Sequence, residues 1–469
     1  MSEYRVLPTI QKQMWRLFFV SGACCAALIM GRGSIRATDR EPTQQAEAAQ
    51  LERSPEVLAM LLEQRDQLQA ERKALWGGID LATVTAIGPL SPELEAFEKD
   101  YGSRMEALNQ QIDQVGGQKY CSASRLFWYT DLEQAKQAAQ RSGKPILSLR
   151  LLGKLTEELS CANSRFFRTT LYANTEISRV LRENFVLHWE SVRPVPVMTI
   201  DFGDGRKLVR TVTGNSIHYV LAPNGDVVDA LPGLFGPPAF LAAINRAGTT
   251  AREIASLPKA SRRSALSTYH AQCVQELTNA WEQDLQTLAD AGGEAQIALQ
   301  RRASKAAAGS TEPTDLPRVP CRRSVQPVAT IVSDLEARTT ESLWTQLAIL
   351  HGAEAQLDRQ SMALIKSQFP SARMAGRVAI SKGDVEMPLV RMLRSFTNSI
   401  AEDSIRNQYL LHRQLHEWFT NGEAPPELNA LNEKIYAKLF LTPSNDPWLG
   451  LMPANTYSGL SENGVVATK

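Results

Sequence analysis

The 469-residue sequence predicts an α+β multidomain protein: an α/β domain with a central sheet flanked by helices at 119–250, a helical hairpin before it and an all-α bundle after it. Three observations predict this. Between Ser124 and Gly248, stretches of helical and strand apolar periodicity alternate. Between Pro92 and Val115, apolar residues recur at alternating three and four spacing, as in a helix with one packed seam. Beyond Gly248 the periodicity is almost wholly helical. It is interrupted at 303–324 by a stretch rich in Ala, Gly, Ser, Thr and Pro that reads as a linker. Residues 251–302 are then connecting helices, and 325–469 are a C-terminal helical domain with a wrapped tail.

At the N-terminus, Arg5, Lys12 and Arg16 precede an apolar run from Leu17 to Gly31, followed by Arg32 and by Ser34-Ile35-Arg36-Ala37. A basic start, a short apolar core and a small-residue end make a secretory signal with a cut after Ala37. The run is short for a spanning helix; left uncut, residues 1–37 would be a signal anchor attaching the chain to a membrane. The expected location is therefore exported, in the periplasm or on the outer face of the cytoplasmic membrane. Ser21-Gly22-Ala23 lacks the leucine that a lipid-attachment signal carries upstream of Cys24.

The hairpin, within 38–118, begins near Pro55, where Val57, Leu61, Leu68 and Leu75 form a thin apolar line ended by Trp76-Gly77-Gly78. Its second helix opens at Ser91-Pro92, a cap followed by a first-turn proline. It carries Leu94, Phe97, Tyr101, Met105, Leu108, Ile112 and Val115. The heptads are too few for a free-standing coiled coil, which points to a packing device.

In the α/β domain, Thr130 and Glu133 have capping-box spacing ahead of a short helix with Leu132, Ala135 and Ala139 on one face, ending near Ser142-Gly143. Ile146, Leu147 and Leu149 follow Lys144-Pro145 as a strand of the kind covered on both faces. A polar loop, Gly153 to Ser160, leads to Cys161-Ala162-Asn163-Ser164 and a helical segment with Phe166, Phe167 and Leu171. Asn174 caps the next helix, and Asn184-Phe185-Val186-Leu187 opens another strand. Ile217, Tyr219 and Leu221 alternate before the turn at Asn224-Gly225, Asp226-Val227-Val228 returns as the partner strand, and Pro237-Pro238 starts a closing helix.

This order of elements resembles the thioredoxin-like fold superfamily, in exported bacterial form, over about residues 124–248. The resemblance implies that Cys161 stands where the family has its nucleophile, at a helix start. Three departures accompany it: Ser164 replaces the resolving cysteine, Ser160 the usual preceding aromatic residue, and Asn215-Ser216-Ile217 the loop that carries the family's proline. A polar hairpin around Asp201 to Lys207, with Asp204-Gly205 at its tip, is inserted between Pro194 and Gly214. A thiol at a helix N-terminus has its thiolate favoured, so Cys161 could attack a disulfide, but with Ser164 as partner it could not resolve the adduct. Arg165 and Arg168 would aid ionisation and Glu157 and Glu158 oppose it.

The C-terminal region shows helical patterns at Thr339–Ser367, Pro388–Phe419 and Pro426–Leu439, then an apolar tail in which Trp448 is expected to anchor the wrap, or, if exposed, to form a docking site for another protein. His412 and His416 lie one helical turn apart and could grip a metal from one face. Arg413 occupies the place where a zinc-peptidase signature has glutamate, so the reading adopted is a hydrogen-bonded polar seam with no metal. No sequence motif calls for a cofactor. The 51 basic and 50 acidic residues nearly cancel, which argues against a nucleic-acid partner. Once the signal is removed, Cys121, Cys161, Cys273 and Cys321 remain of the six cysteines, with their pairing open. The expected function is a redox-degenerate scaffold or protein-binding module of the cell envelope, with a protein partner. The alternative is monothiol thiol-disulfide exchange through Cys161, with Ser164 hydrogen-bonding the thiolate.

Overall fold

The computed structural model describes residues 52–76, 91–212, 214–290, 341–368, 382–449, 459–461 and 465. The proposed signal segment, the linker at 303–324 with Cys321, and Tyr457 of the tail lie outside these residues. The chain divides into two compact units, one ending at Gly116 and the other beginning at Gly117. Among the described residues no helix is long and apolar enough to cross a membrane.

The first unit holds helices α1 (Pro55–Trp76) and α2 (Pro92–Gly116). The Ser91 hydroxyl accepts from the Leu94 amide, as expected of a cap. The two helices run antiparallel: the Arg53 Nε donates to the Val115 carbonyl, Arg65 Nε to Asn109 Oδ1, and Arg72 and Trp76 to the Glu98 carboxylate.

The second unit is built on a five-stranded mixed sheet in the order β1-β3-β2-β6-β7. Its strands are β1 (Trp128–Tyr129), β2 (Ile146–Leu152), β3 (Val186–Arg193), β6 (Ser216–Leu221) and β7 (Val227–Pro232). β1, β2 and β3 are parallel, whereas β6 and β7 join antiparallel, with Leu149 opposite Trp189 on one side and His218 on the other. Every residue of β2, β6 and β7 is buried, because helices cover both faces. β4 (Val197–Asp201) and β5 (Lys207–Thr211) form the separate inserted hairpin. The β6–β7 turn comprises Pro223-Asn224-Gly225, one residue longer than a tight Asn-Gly turn; the Ala222 amide donates to the Asp226 carbonyl, and Gly225 takes φ 94°.

Helix α3 (Cys121–Ser124) precedes β1, and α4 (Leu132–Ser142) lies between β1 and β2. The α4 cap is Asp131, not the expected Thr130: Asp131 is extended, and its carboxylate accepts from the Gln134 amide, the charge-assisted form of the same bond. After β2 comes α5 (Ala162–Phe166), which widens into a π turn at Phe167–Leu171, and then α6 (Thr175–Asn184). Asn174 caps α6 as expected, its Oδ1 accepting from the Glu176 and Ile177 amides. α7 (Pro237–Ser256) starts at the two prolines, and α8 (Lys259–Asp290) continues away from it.

The first C-terminal helical pattern is broken in the structure. α9 (Glu341–Leu350) ends at His351-Gly352, a 3-10 turn covers Gly352–Ala355, and α10 (Arg359–Gln368) restarts where Asp358 accepts from the Ser361 amide. α11 (Lys382–Arg406) passes through a π turn (Asn407–His412) into α12 (Arg413–Thr420), and α13 (Leu428–Lys438) follows. These helices do not form a body apart from the sheet. Leu411, Leu415, Trp418, Leu431, Ile435 and Tyr436 share one continuous core with Leu149, Ile217 and Phe240. A smaller cluster, Trp281, Trp344, Leu347 and Tyr409, closes the far end.

Replacing Asn174 by Ala removes both amide bonds at the start of α6. Urea unfolding should show a loss of about 1 kcal/mol with an unchanged m-value.

Candidate functional site

Cys161 sits where the sequence reading puts it, as the N-cap of α5, and its Sγ accepts from the Ser164 amide at 3.4 Å. The residue is 0% exposed. Burial pushes its thiol above the ordinary value, outweighing the Ser164 bonds and the charge of Arg165. Ser164 Oγ lies 2.6 Å from Ser160 Oγ and 2.9 Å from the Cys161 carbonyl oxygen, so two oxygens compete with the thiol for its single proton. Arg168 is turned to another task, donating to the carbonyls of Leu155, Glu157 and Glu158 and thereby holding the preceding loop. No disulfide joins Cys121, Cys161 and Cys273 to one another; the Cys121 Sγ donates to the Leu126 carbonyl.

The C-terminal helix and tail are bonded to the stretch Asn215–Tyr219, whose Ser216 Oγ accepts from Asn163 Nδ2 beside this thiol. Tyr436 on α13 is 1% exposed, donates to the Asn215 carbonyl and lies close enough to Cys161 for their charges to interact. Asn215 Nδ2 in turn donates to Thr442 Oγ1, and Tyr219 OH on β6 donates to Asn432 Oδ1. Arg193, the last residue of β3, donates to the carbonyls of Thr442, Pro443 and Asp446. The tail is thus held by a guanidinium on backbone oxygens. The expected anchor, Trp448, is 46% exposed instead; the tail backbone before it is held by Arg193.

The inserted hairpin also borders the Cys161 loop: Thr211 Oγ1 accepts from Arg165 and donates to the Ser160 carbonyl. Beyond that anchor β4 faces solvent, with Val197, Met198, Ile200 and Phe202 exposed, while Leu208 and Val209 of β5 are half-buried.

A second constellation forms on the other side of β7. Three of the six histidines of the chain converge on the Asp229 carboxylate. His412 Nε2 lies 3.1 Å and His416 Nδ1 3.9 Å from Asp229 Oδ1, and His270 Nδ1 lies 2.7 Å from His416 Nδ1. Tyr269 OH donates to Asp229 Oδ2 at 2.6 Å, and the Ala230 amide to Oδ1 at 2.8 Å. Although burial opposes ionisation of Asp229, the surrounding imidazoles hold it well below the usual carboxylate range. Burial lowers His270 to about 4 and His416 well below its ordinary value, so both rings are neutral near pH 7. A cavity of about 340 Å³ opens beside the group, with Arg246, Tyr269, Cys273, Phe235, His412 and His416 in its wall. The α7 end of this wall needs glycine, since a Cβ on Gly236 would stand 2.2 Å from the Glu354 carbonyl oxygen.

The pairing of His412 with His416 was legible from their spacing. Asp229, Tyr269 and His270 were missed. Asp229 stands in an otherwise apolar run, Val227-Val228-Asp229-Ala230-Leu231, and a carboxylate within a buried strand is itself a signal. For Tyr269 and His270, on a long amphipathic helix, only the fold selects the inward positions.

Comparison of the chain with protein-family models, with curated proteins and with solved structures finds no match.

Near the far cluster, His351 Nδ1 lies 2.7 Å from Glu354 Oε1 and Nε2 2.8 Å from Asp284 Oδ2, which also accepts from Tyr409 OH. Bonds to Asp284 and Glu354 raise His351 from 6.5 to about 9. The charged pairing is fully present below pH 6.5 and is lost as pH rises through 9. Unfolding free energy should therefore fall by on the order of 3 kcal/mol over this window, less any solvent screening, and His351→Gln should flatten the profile.

Proposed function

We propose that the chain is an exported, redox-degenerate thioredoxin-like protein that works as a protein-binding module of the cell envelope. The observation that carries this reading is the enclosure of Cys161: the one thiol at the expected catalytic position is fully buried and raised in pKa by that burial. The thioredoxin-like assignment draws support from the strand order β1-β3-β2-β6-β7 with its parallel and antiparallel halves, and from the helix that begins at Cys161 after β2. Export rests on the basic, apolar and small-residue order of the first 37 residues.

A thiolate must reach its disulfide, and its nucleophilicity depends on ionisation. Here both requirements are opposed by the same packing. The binding role falls to the surface beside the buried site. On β4 every side chain faces solvent, and together with Phe202 these residues present Val197, Met198 and Ile200 on an arm that contributes nothing to the core.

The deciding measurement is the iodoacetamide reaction of Cys161 against pH, in mature protein with Cys121, Cys273 and Cys321 changed to Ala. We expect no reaction in the folded state and an apparent pKa above the free-cysteine value of about 8.5, with full reaction in denaturant. A fast reaction at neutral pH, with mixed disulfides trapped on partner proteins, would establish thiol exchange in its place. For the arm, a photo-cross-linking residue at Phe202 should give discrete protein adducts that Ile200→Asp abolishes without lowering Tm. Adducts unaffected by Ile200→Asp would remove the hairpin from the binding surface.

A further inference from the structure

The group around Asp229 plays no part in the binding role just described, and its arrangement is that of a coordination site. Asp229 comes from β7, His270 from α8 and His416 from α12, so three elements distant in sequence bring one donor each to a single point. One donor atom from each lies within 4.8 Å of the others, and the residues are 1%, 0% and 2% exposed. We propose that Asp229, His270 and His416 hold one divalent first-row transition-metal ion, with zinc as the type, and that its remaining coordination positions open toward the neighbouring cavity.

Four features of the site support this. The donors are two imidazole nitrogens and a carboxylate oxygen, a set that suits zinc and its neighbours in the row. The spacing is close to what the ion needs: zinc–nitrogen bonds of about 2.0–2.1 Å in tetrahedral geometry put ligand atoms about 3.3 Å apart. The observed 2.7 Å between the two Nδ1 atoms and 3.9 Å from His416 Nδ1 to Asp229 Oδ1 bracket that value. The carboxylate is aimed by outer bonds from Tyr269 OH, the Ala230 amide and His412 Nε2, the kind of support that metal-bound carboxylates receive.

Charge is the fourth. Among the described residues no lysine or arginine pairs with Asp229; the nearest guanidinium in the cavity wall, Arg246, is bonded to Glu276. A buried carboxylate with no lysine or arginine partner is a place where a cation replaces lost hydration. His412 fits as the residue that orients Asp229. It is the last residue of the π turn, and such insertions are frequent at functional sites.

The test uses untagged full-length protein stripped with a chelator and titrated with Co²⁺ followed by absorbance, then with Zn²⁺ by calorimetry. We expect one ion per chain, visible cobalt d–d bands without a thiolate charge-transfer band, and a Tm that rises with metal concentration. His416→Gln and Asp229→Asn should each weaken binding at least 100-fold, and His412→Gln by about 10- to 100-fold as an outer-shell partner. Circular dichroism and a cooperative melt identify any variant that fails to fold, and the stripped parent protein gives an answer independent of the variants. If the parent takes up no cobalt or zinc saturably, the cluster is a hydrogen-bonded seam and the proposal is wrong. It is equally wrong if a folded Asp229→Asn, His416→Gln double variant binds as tightly as the parent, or if a thiolate band brings Cys273 into the ligand set. None of these results depends on the reactivity of Cys161, so this site and the binding role stand or fall separately.

Discussion

A carboxylate taken out of water is costly unless hydrogen bonds and opposite charge replace its hydration, and Asp229 is 1% exposed in the middle of a strand. The demands of that one group organise the second unit. Tyr269 from α8, His412 from the π turn and His416 from α12 all turn toward it, so the sheet and the C-terminal helices are joined by polar contacts as well as by apolar packing. Removing any one partner would leave the others buried without company, which makes the junction cooperative. The helices that follow β7 therefore complete the sheet instead of decorating it.

The same C-terminal region closes the opposite end of the sheet. α13 and the segment after it are bonded to Asn215 and Tyr219 through Tyr436, Thr442 and Asn432, and Arg193 clasps the chain beyond. A thiol at a helix start is usually discussed through the helix dipole, which favours the thiolate by a modest amount near the surface. Full burial opposes that effect with a larger one. The balance at Cys161 comes out in favour of the thiol because the core around it shuts out water.

Local physics was readable where the deciding atoms are close in sequence. Asn174, Ser91-Pro92 and Pro237-Pro238 mark helix starts because a cap needs only a side chain and an amide two or three residues on. Even there the choice between neighbours failed once: Asp131 outcompetes Thr130, since an ionised acceptor makes the stronger bond. The Thr339–Ser367 pattern breaks at His351-Gly352, where the imidazole bonds to Asp284, a contact 67 residues away that no helical period reveals. Trp448 looked like an anchor by its size, yet its indole is exposed, and the backbone before it is held by Arg193.

By itself the sequence determined most of the strand and helix order of the α/β region, the place of Cys161 at a helix start with Ser164 three residues on, and the one-turn spacing of His412 and His416. These follow from periodicity, capping and turn chemistry, all of which act over a few residues. Only the tertiary structure decided that Cys161 is fully buried, and that Asp229 and His270 meet His416 beside a cavity. Burial and convergence are properties of elements packed from distant parts of the chain, and the free energy that selects them is summed over the whole core.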